Sequence, residues 1–487
     1  MTGNPKTLYR TVALLALLLL PSILTDQAKG APAEHATGVY AIQQSGTNTY
    51  KLVATAQEDC WDDERRIPCP EQGEAFFGQD AQSAGSSPSY ADHGDGTITD
   101  LVTGLMWQKT PGRKMTYAEA LEGAPSLALA DHEDWRLPTI KELYSLILFS
   151  GIDPSGANDR DPANLTPFID TAFFDFEYGD TAAGERIIDA QYWSSTEYVS
   201  TTMNRDATVF GLNFADGRIK GYPRERGPGG SANRQFARYV RGNPDYGLNQ
   251  LVDNGDGTIS DRATGLMWMQ DDSQRGYDWQ GALAYAEGLE HAGHDDWRLP
   301  NAKELQSIVD YSRSPATSSS AAIDPLFNTT PITDEGGSQD YASYWSSTTH
   351  VNMSRSPGAN AAYVAFGRAL GFMEMPPGSG NRQLLDVHGA GAQRSDPKSG
   401  DPADWPQGHG PQGDVVRIYN HVRAVRFQPK TEASPTPGVT SEPTASPTGS
   451  PTTAPATPWA PTATPIGSTP PTTWSIHLPL AHHGITP

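Results

Sequence analysis

The chain has 487 residues and carries 57 acidic side chains against 35 Lys and Arg, for a net charge of −22. At roughly 100 to 200 residues per domain it is too long for one small fold. So acidic a balance also argues against a nucleic-acid binder, whose affinity comes from neutralising phosphates. Hydrophobic residues make up 37%, while Gly and Pro number 48 and 40, which excludes long helical bundles and predicts loop-rich domains.

In chain order, residues 1–30 read as a secretory signal. Lys6 and Arg10 precede the apolar run 12–20, and Ala28-Lys29-Gly30 and Ala31-Pro32-Ala33 both offer small-residue cleavage sites. The run is far short of the roughly 20 residues that cross a bilayer, so the expectation is a secreted or cell-surface protein with no transmembrane segment after signal removal. An N-terminal extension, 31–84, holds the only two cysteines, Cys60 and Cys69. In an exported chain they are expected to pair as a local staple, and two thiols are too few for a zinc or iron–sulfur site built on cysteine.

A repeat dominates the remainder. His93–Trp107 (HGDGTITDLVTGLMW) and Asn254–Trp268 (NGDGTISDRATGLMW) are identical at 11 of 15 positions. The motifs DWRLP, at 134–138 and 296–300, and YWSST, at 192–196 and 344–348, recur in the same order. Each copy closes on R-x-V-R, at 238–241 and 423–426. A period this long is not a solenoid unit; it predicts two tandem globular domains, 85–247 and 248–428, each expected to fold independently.

Within a copy, Gly-Asp-Gly between short β-prone stretches predicts a hairpin. Thr116 with Glu119, and Asp278 in the second copy, mark one helix start. Thr139 with Glu142 and Asn301 with Glu304 mark another, with the spacing of a capping box. Short strands follow, so the fold class is α+β: hairpin, two helices, short antiparallel strands and long loops. The second copy adds a connector of about 50 residues between Arg368 and Arg417, longer than loops usually are without a structural or ligand-bound reason. From 431 to 473 the chain has 11 prolines, two acids and no basic residue. That composition cannot build a core and predicts a disordered Thr/Pro-rich stalk (429–473) reaching up to roughly 130 Å, ahead of a C-terminal element at 474–487.

Few residues suggest chemistry. The recurrent tryptophans are expected in the core, with sugar stacking the alternative. Arg136 and Arg298 are expected to be structural forks, and the Gly-Asp-Gly aspartates turn formers rather than calcium ligands, since their spacing is not that of an EF-hand. Asp386, His388, Asp401, His409 and Asp414 in the long connector are weak metal candidates without diagnostic spacing. No hydrolase elbow, H-E-x-x-H or phosphate-binding loop is present, so no catalytic residue and no cofactor is assigned. The one basic run is 218–241, where Arg218, Lys220, Arg224, Arg226 and Arg234 face a single acid, Glu225. Arginine forks suit sulfate or carboxylate, and these five are the candidate ligand-binding residues.

Taken together, GDGTITDxxTGLMW, DWRLPTIKEL, YWSST and R-x-V-R resemble the Lcl C-terminal domain family, named for a bacterial collagen-like adhesin, and Cys60–Gln79 is similar to a segment that often precedes such domains. The resemblance implies relatives among C-type-lectin-like and formylglycine-generating-enzyme-like folds, and a founding member associated with sulfated polysaccharides. A formylglycine-generating activity would need cysteine chemistry that neither copy has. The family often carries Cys in the closing strand, where Tyr239 and Ala424 stand here. The resulting expectation is an exported, non-catalytic protein whose partner is an extracellular polysaccharide or a surface protein. The alternatives are a structural envelope or matrix protein, or an unrecognised enzyme.

Overall fold

The computed structural model describes residues 50–428 apart from 157–160, 204, 228–229 and 377; the signal segment, the Thr/Pro stretch and the C-terminal element lie outside the described residues. Strands dominate, with a few short helices. In the first copy Tyr90–Asp92, Thr97–Asp100, Met106–Gln108 and Val240–Arg241 form a four-stranded antiparallel sheet. In the second copy Leu251–Asp253, Thr258–Asp261, Leu266–Met269 and Val425–Phe427 repeat it. The hairpin turns are held by aspartate: Asp92 accepts from Gly94 N at 2.8 Å and Asp95 from Thr97 N at 3.0 Å. Gly94 and Gly96 both adopt positive φ, which side chains with a Cβ resist. Asp253 and Asp256 act alike in the second copy, so the turn reading holds.

Helices α1 (Tyr117–Gly123) and α2 (Ile140–Ser145) follow in the first copy, α3 (Trp279–Glu287) and α4 (Ala302–Ser307) in the second. Thr139 and Asn301 cap α2 and α4 with complete capping boxes. The box glutamates have a second use. Arg136 forks onto Glu142 at 2.6 and 2.5 Å, and Arg298 onto Glu304 at 2.7 and 2.6 Å. The arginine of DWRLP is thus structural, tying the loop ahead of the helix to its first turn. The closing R-x-V-R works the same way in both copies. Arg238 is buried and donates to the carbonyls of Gln108, Lys109 and Asp175, and Arg423 to those of Met269, Gln270 and Asn328. Arg241 and Arg426 pair with Asp134 and Asp296. Where the family often has cysteine, Tyr239 donates its hydroxyl to Ala120 O at 3.0 Å.

The second sheet separates the copies. In the first it is Gln191–Thr202, Asp206–Asn213 and Arg218–Pro223, joined by short turns. In the second, Ser343–Thr349 and Asn360–Ala365 take Gln393–Pro397 as their third strand. The chain between goes out as a separate hairpin, Leu370–Glu374 with Arg382–Asp386. The long connector is therefore built structure, not a free loop. All six recurrent tryptophans, Trp107, Trp135, Trp193, Trp268, Trp297 and Trp345, are at most 3% exposed; the core reading holds and sugar stacking on them does not fit. Among the described residues no helix is long and apolar enough to cross a membrane.

The two copies share one core, which bears against the expectation that each folds independently. One hydrophobic cluster runs through both, from Leu143, Phe168 and Phe210 to Leu305, Phe327 and Tyr344. At its centre α2 and α4 meet reciprocally: Lys141 Nζ donates to Ser307 O at 2.6 Å, and Lys303 Nζ, from the equivalent position, to Ser145 O at 2.8 Å. Burial pulls these amines down, Lys141 to about 8 and Lys303 to about 7. Farther out, Phe210 packs on Tyr311, and Tyr198 donates to Asp386 at 2.8 Å.

Because an isolated copy would expose this shared core and deprive Lys141 of Ser307 O, residues 85–247 expressed alone are expected to give an aggregating product without a cooperative melt. A sharp two-state transition with ordered near-ultraviolet dichroism would contradict the shared core. Cys60 and Cys69 are bonded to each other. Closing so short a loop is worth roughly 2–3 kcal/mol by chain entropy, so Cys60→Ser with Cys69→Ser is expected to lower unfolding stability by about that much in denaturant titration.

Candidate functional site

The five basic candidates do not converge. They divide by where they stand: Arg218 and Lys220 share one face of the strand Arg218–Pro223, and the other three lie in the loop beyond it. Arg218 and Lys220 point inward to the junction between the copies. Arg218 donates to Asp153 at 2.6 Å and to Ser395 at 3.0 Å, and Lys220 to Asp216 at 2.6 Å. Both are only 13–15% exposed, and a charge whose partner lies buried with it is committed to the fold. Arg224, Arg226 and Arg234 lie outside, where Arg224 makes a 3.4 Å contact with Glu197 and Arg234 a 2.7 Å one with Glu119 on α1. They form an arginine edge along one face of the first copy.

The connector residues proposed for metal are likewise engaged. Asp386 accepts from Tyr198 and Gly389 N, Asp401 caps the turn at Ala403, and His409 packs against Trp405. Only His388 and Asp414 meet, at 3.0 Å, and Arg394 binds the same carboxylate, taking the place a cation would need. Among the described residues no group of three or more His, Cys, Asp or Glu converges as metal ligands.

The arginine edge borders a face that is open in the first copy and filled in the second. The N-terminal extension, although it precedes the first copy in sequence, touches that copy through Thr55 O, which receives Phe149 N, and then packs on the second. Asp62 and Trp61 carbonyls receive Lys398, Asp63 receives Ser399, and Gln57 joins the backbone of Thr349 by two hydrogen bonds of 2.7 and 2.8 Å. Phe76 sits 6.2 Å from Trp279 of α3, centroid to centroid. The buried Asp80 accepts from Thr348 Oγ1 at 2.5 Å and from Thr55 Oγ1 at 2.8 Å. Burial pushes its carboxyl up from 3.8 to about 6, although both hydroxyls and the nearby Arg298 favour the anion.

At the equivalent positions of the first copy no described segment is laid down. Leu121 is 43% exposed where Leu283 is 1%. Ser195 and Thr196 are partly exposed and Glu197 exposed, where Ser347, Thr348 and Thr349 are fully buried. Arg136 is 31% exposed and Arg298 12%, in part because Phe427 covers only the latter, at 4.7 Å. The sequence reading missed this difference, since Thr196 and Thr348 lie in identical motifs. The one signal was the apolar pair Phe76-Phe77 within a polar extension.

Two copies of one domain thus share a core and differ in what covers one face. The Lcl C-terminal domain family model matches residues 96–241 and 257–383, more than half of the chain, and the protein belongs to that family. The second match stops inside the excursion hairpin, yet the closing strand beyond it pairs as its first-copy counterpart does. No curated protein and no solved structure matches the chain.

Since the Asp80 carboxyl is raised in the folded state, its contribution to stability is fully present below pH 4 and is lost as pH rises through about 6. Asp80→Asn, which keeps an acceptor for both hydroxyls, is therefore expected to gain on the wild type between pH 4 and 7, by about 1–3 kcal/mol. Thermal melts of the two proteins across that range give the difference, from which Asp386 and Asp396, also raised to about 6, cancel. A constant gap would show that Asp80 does not titrate there.

Proposed function

We propose that the protein is an exported, non-catalytic surface protein that acts in adhesion by binding an anionic, sulfated polysaccharide through lectin-like domains. The observation that carries this reading is the arginine edge. In a chain of net charge −22, Arg224 and Arg234 keep 38% and 45% of their side chains exposed, and Arg226 stands exposed between them. Their intramolecular partners, Glu119, Glu197 and Glu225, are themselves exposed, and such surface pairs are worth less than about 1 kcal/mol, so a sulfate can exchange for them. The second copy has no such edge: Tyr419 stands where the first has Arg234.

Retention of the full chain on an immobilised sulfated polysaccharide is expected to fall as salt rises, because screening weakens exposed charges. Arg224→Ala with Arg226→Ala should weaken binding by roughly 2- to 30-fold, at about 0.2–1 kcal/mol per exposed charge. Unchanged retention in that variant, or binding insensitive to salt, would remove the reading. Arg218 and Lys220 are unsuitable for this test, since replacing either unpairs a buried aspartate.

A further inference from the structure

We infer that the open face of the first copy is a docking site for an acidic, aromatic-bearing peptide segment of a partner protein, the chemistry that residues 76–80 bring to the second copy. This goes beyond the polysaccharide reading, because its central groups are Thr196 and Leu121 and not the arginines. Thr196 Oγ1 accepts from Ile140 N at 3.0 Å, as Thr348 Oγ1 does from Ala302 N at 3.0 Å. With that acceptor role filled, each hydroxyl has its proton left to donate. Thr348 gives it to Asp80; Thr196 has no acceptor among the described residues. On α1, Leu121 presents the apolar surface that its counterpart Leu283 buries beneath residues 72–77. Tyr117 on α1 occupies the position of Trp279, against which Phe76 packs.

The occupant follows from charge and from connectivity. The extension is already committed to the second copy through Lys398, Ser399, Thr348 and Thr349, and the extension of another copy of the chain would be committed likewise, so the occupant is a different protein. The extension is covalently tethered and needs no attraction to find its face. A free partner gains encounter rate from complementary charge, and only the first copy supplies it, through Arg224, Arg226 and Arg234. Glu197, next to Thr196 in the strand, is engaged by Arg224.

The test is calorimetric titration of the full chain with a synthetic peptide of residues 70–83, PEQGEAFFGQDAQS. Saturable one-to-one binding is expected. It should weaken roughly tenfold or more when the peptide carries Asp80→Ala, as loss of a hydrogen bond to a charged group requires, and similarly for Thr196→Val or Leu121→Glu in the chain. Thr196→Val removes the acceptor of Ile140 N and can unsettle α2, whereas Leu121 is a surface residue, so Leu121→Glu with an unchanged melting temperature decides the matter. Absence of binding, or binding unmoved by Leu121→Glu, overturns the proposal. So does binding that responds to Thr348→Val and not to Thr196→Val, which would mean exchange at the second copy. A polyuronate that binds in a Thr196-dependent way where the peptide does not would assign the face to glycan and overturn it as well. The polysaccharide reading stands or falls separately on the Arg224→Ala and Arg226→Ala variant.

Discussion

Two lysines, Lys303 buried and Lys141 half-buried, set the frame of this protein. Lys141 and Lys303 occupy the same place in their copies, and each ends on a serine carbonyl of the other. A buried amine is costly unless its protons are used; Lys303 donates to carbonyls outside its own copy, and Lys141 finds only Gly247 O, at the very end of its own. Lys141 also holds Gly247 O and Asn249 at the junction between copies, while Lys303 reaches Ala54 O of the extension. The contact thereby fixes the pairing of α2 with α4 and draws the linker and the extension into one core. The hydrophobic cluster supplies the larger part of the driving force, but apolar packing is undirected. The reciprocal lysines are what specify a two-fold relation between the repeats.

Once the copies are paired in this way, their outer faces no longer need to be alike. The extension crosses to the second copy and fills one face; the connector of the second copy leans back on the first through Asp386 and Ser395. Each copy is thus completed by chain that does not belong to its own repeat. What remains uncovered is the α1 face of the first copy with its arginine edge. In the second copy Arg298, the counterpart of Arg136, lies beneath Phe427 and Thr348, the counterpart of Thr196, is spent on Asp80. Filling this face in one copy and not in the other leaves two repeats that share a core but present different surfaces.

Local features were legible in the residues because their causes are local. The aspartates of Gly-Asp-Gly and the capping-box pairs act within four positions of themselves, and the recurrent tryptophans are too large and apolar to lie anywhere but in the core. The five basic residues between 218 and 234 were legible only as a group. Whether each was a ligand or a structural ion depended on which of them the fold set against Asp153 and Asp216, and both aspartates come from outside that run. The connector shows the same limit. Its aspartates and histidines suggested a metal, but their partners are Tyr198 of the first copy and Arg394 of the connector's own strand.

The sequence by itself determined the repeat, the α+β content dominated by short strands, the caps, the turns and the membership of a family, since each rests on spacing within one motif or on the recurrence of motifs. Only the tertiary structure decided that the two domains are one body, that the Cys60–Cys69 extension belongs to the distant copy, and that Thr196 and Thr348, in identical motifs, differ in being free and bound. The reason is physical. A hydroxyl or a guanidinium has the same chemistry wherever it stands, and what it does is set by which groups the fold places within about 3 Å of it, often from more than a hundred residues away.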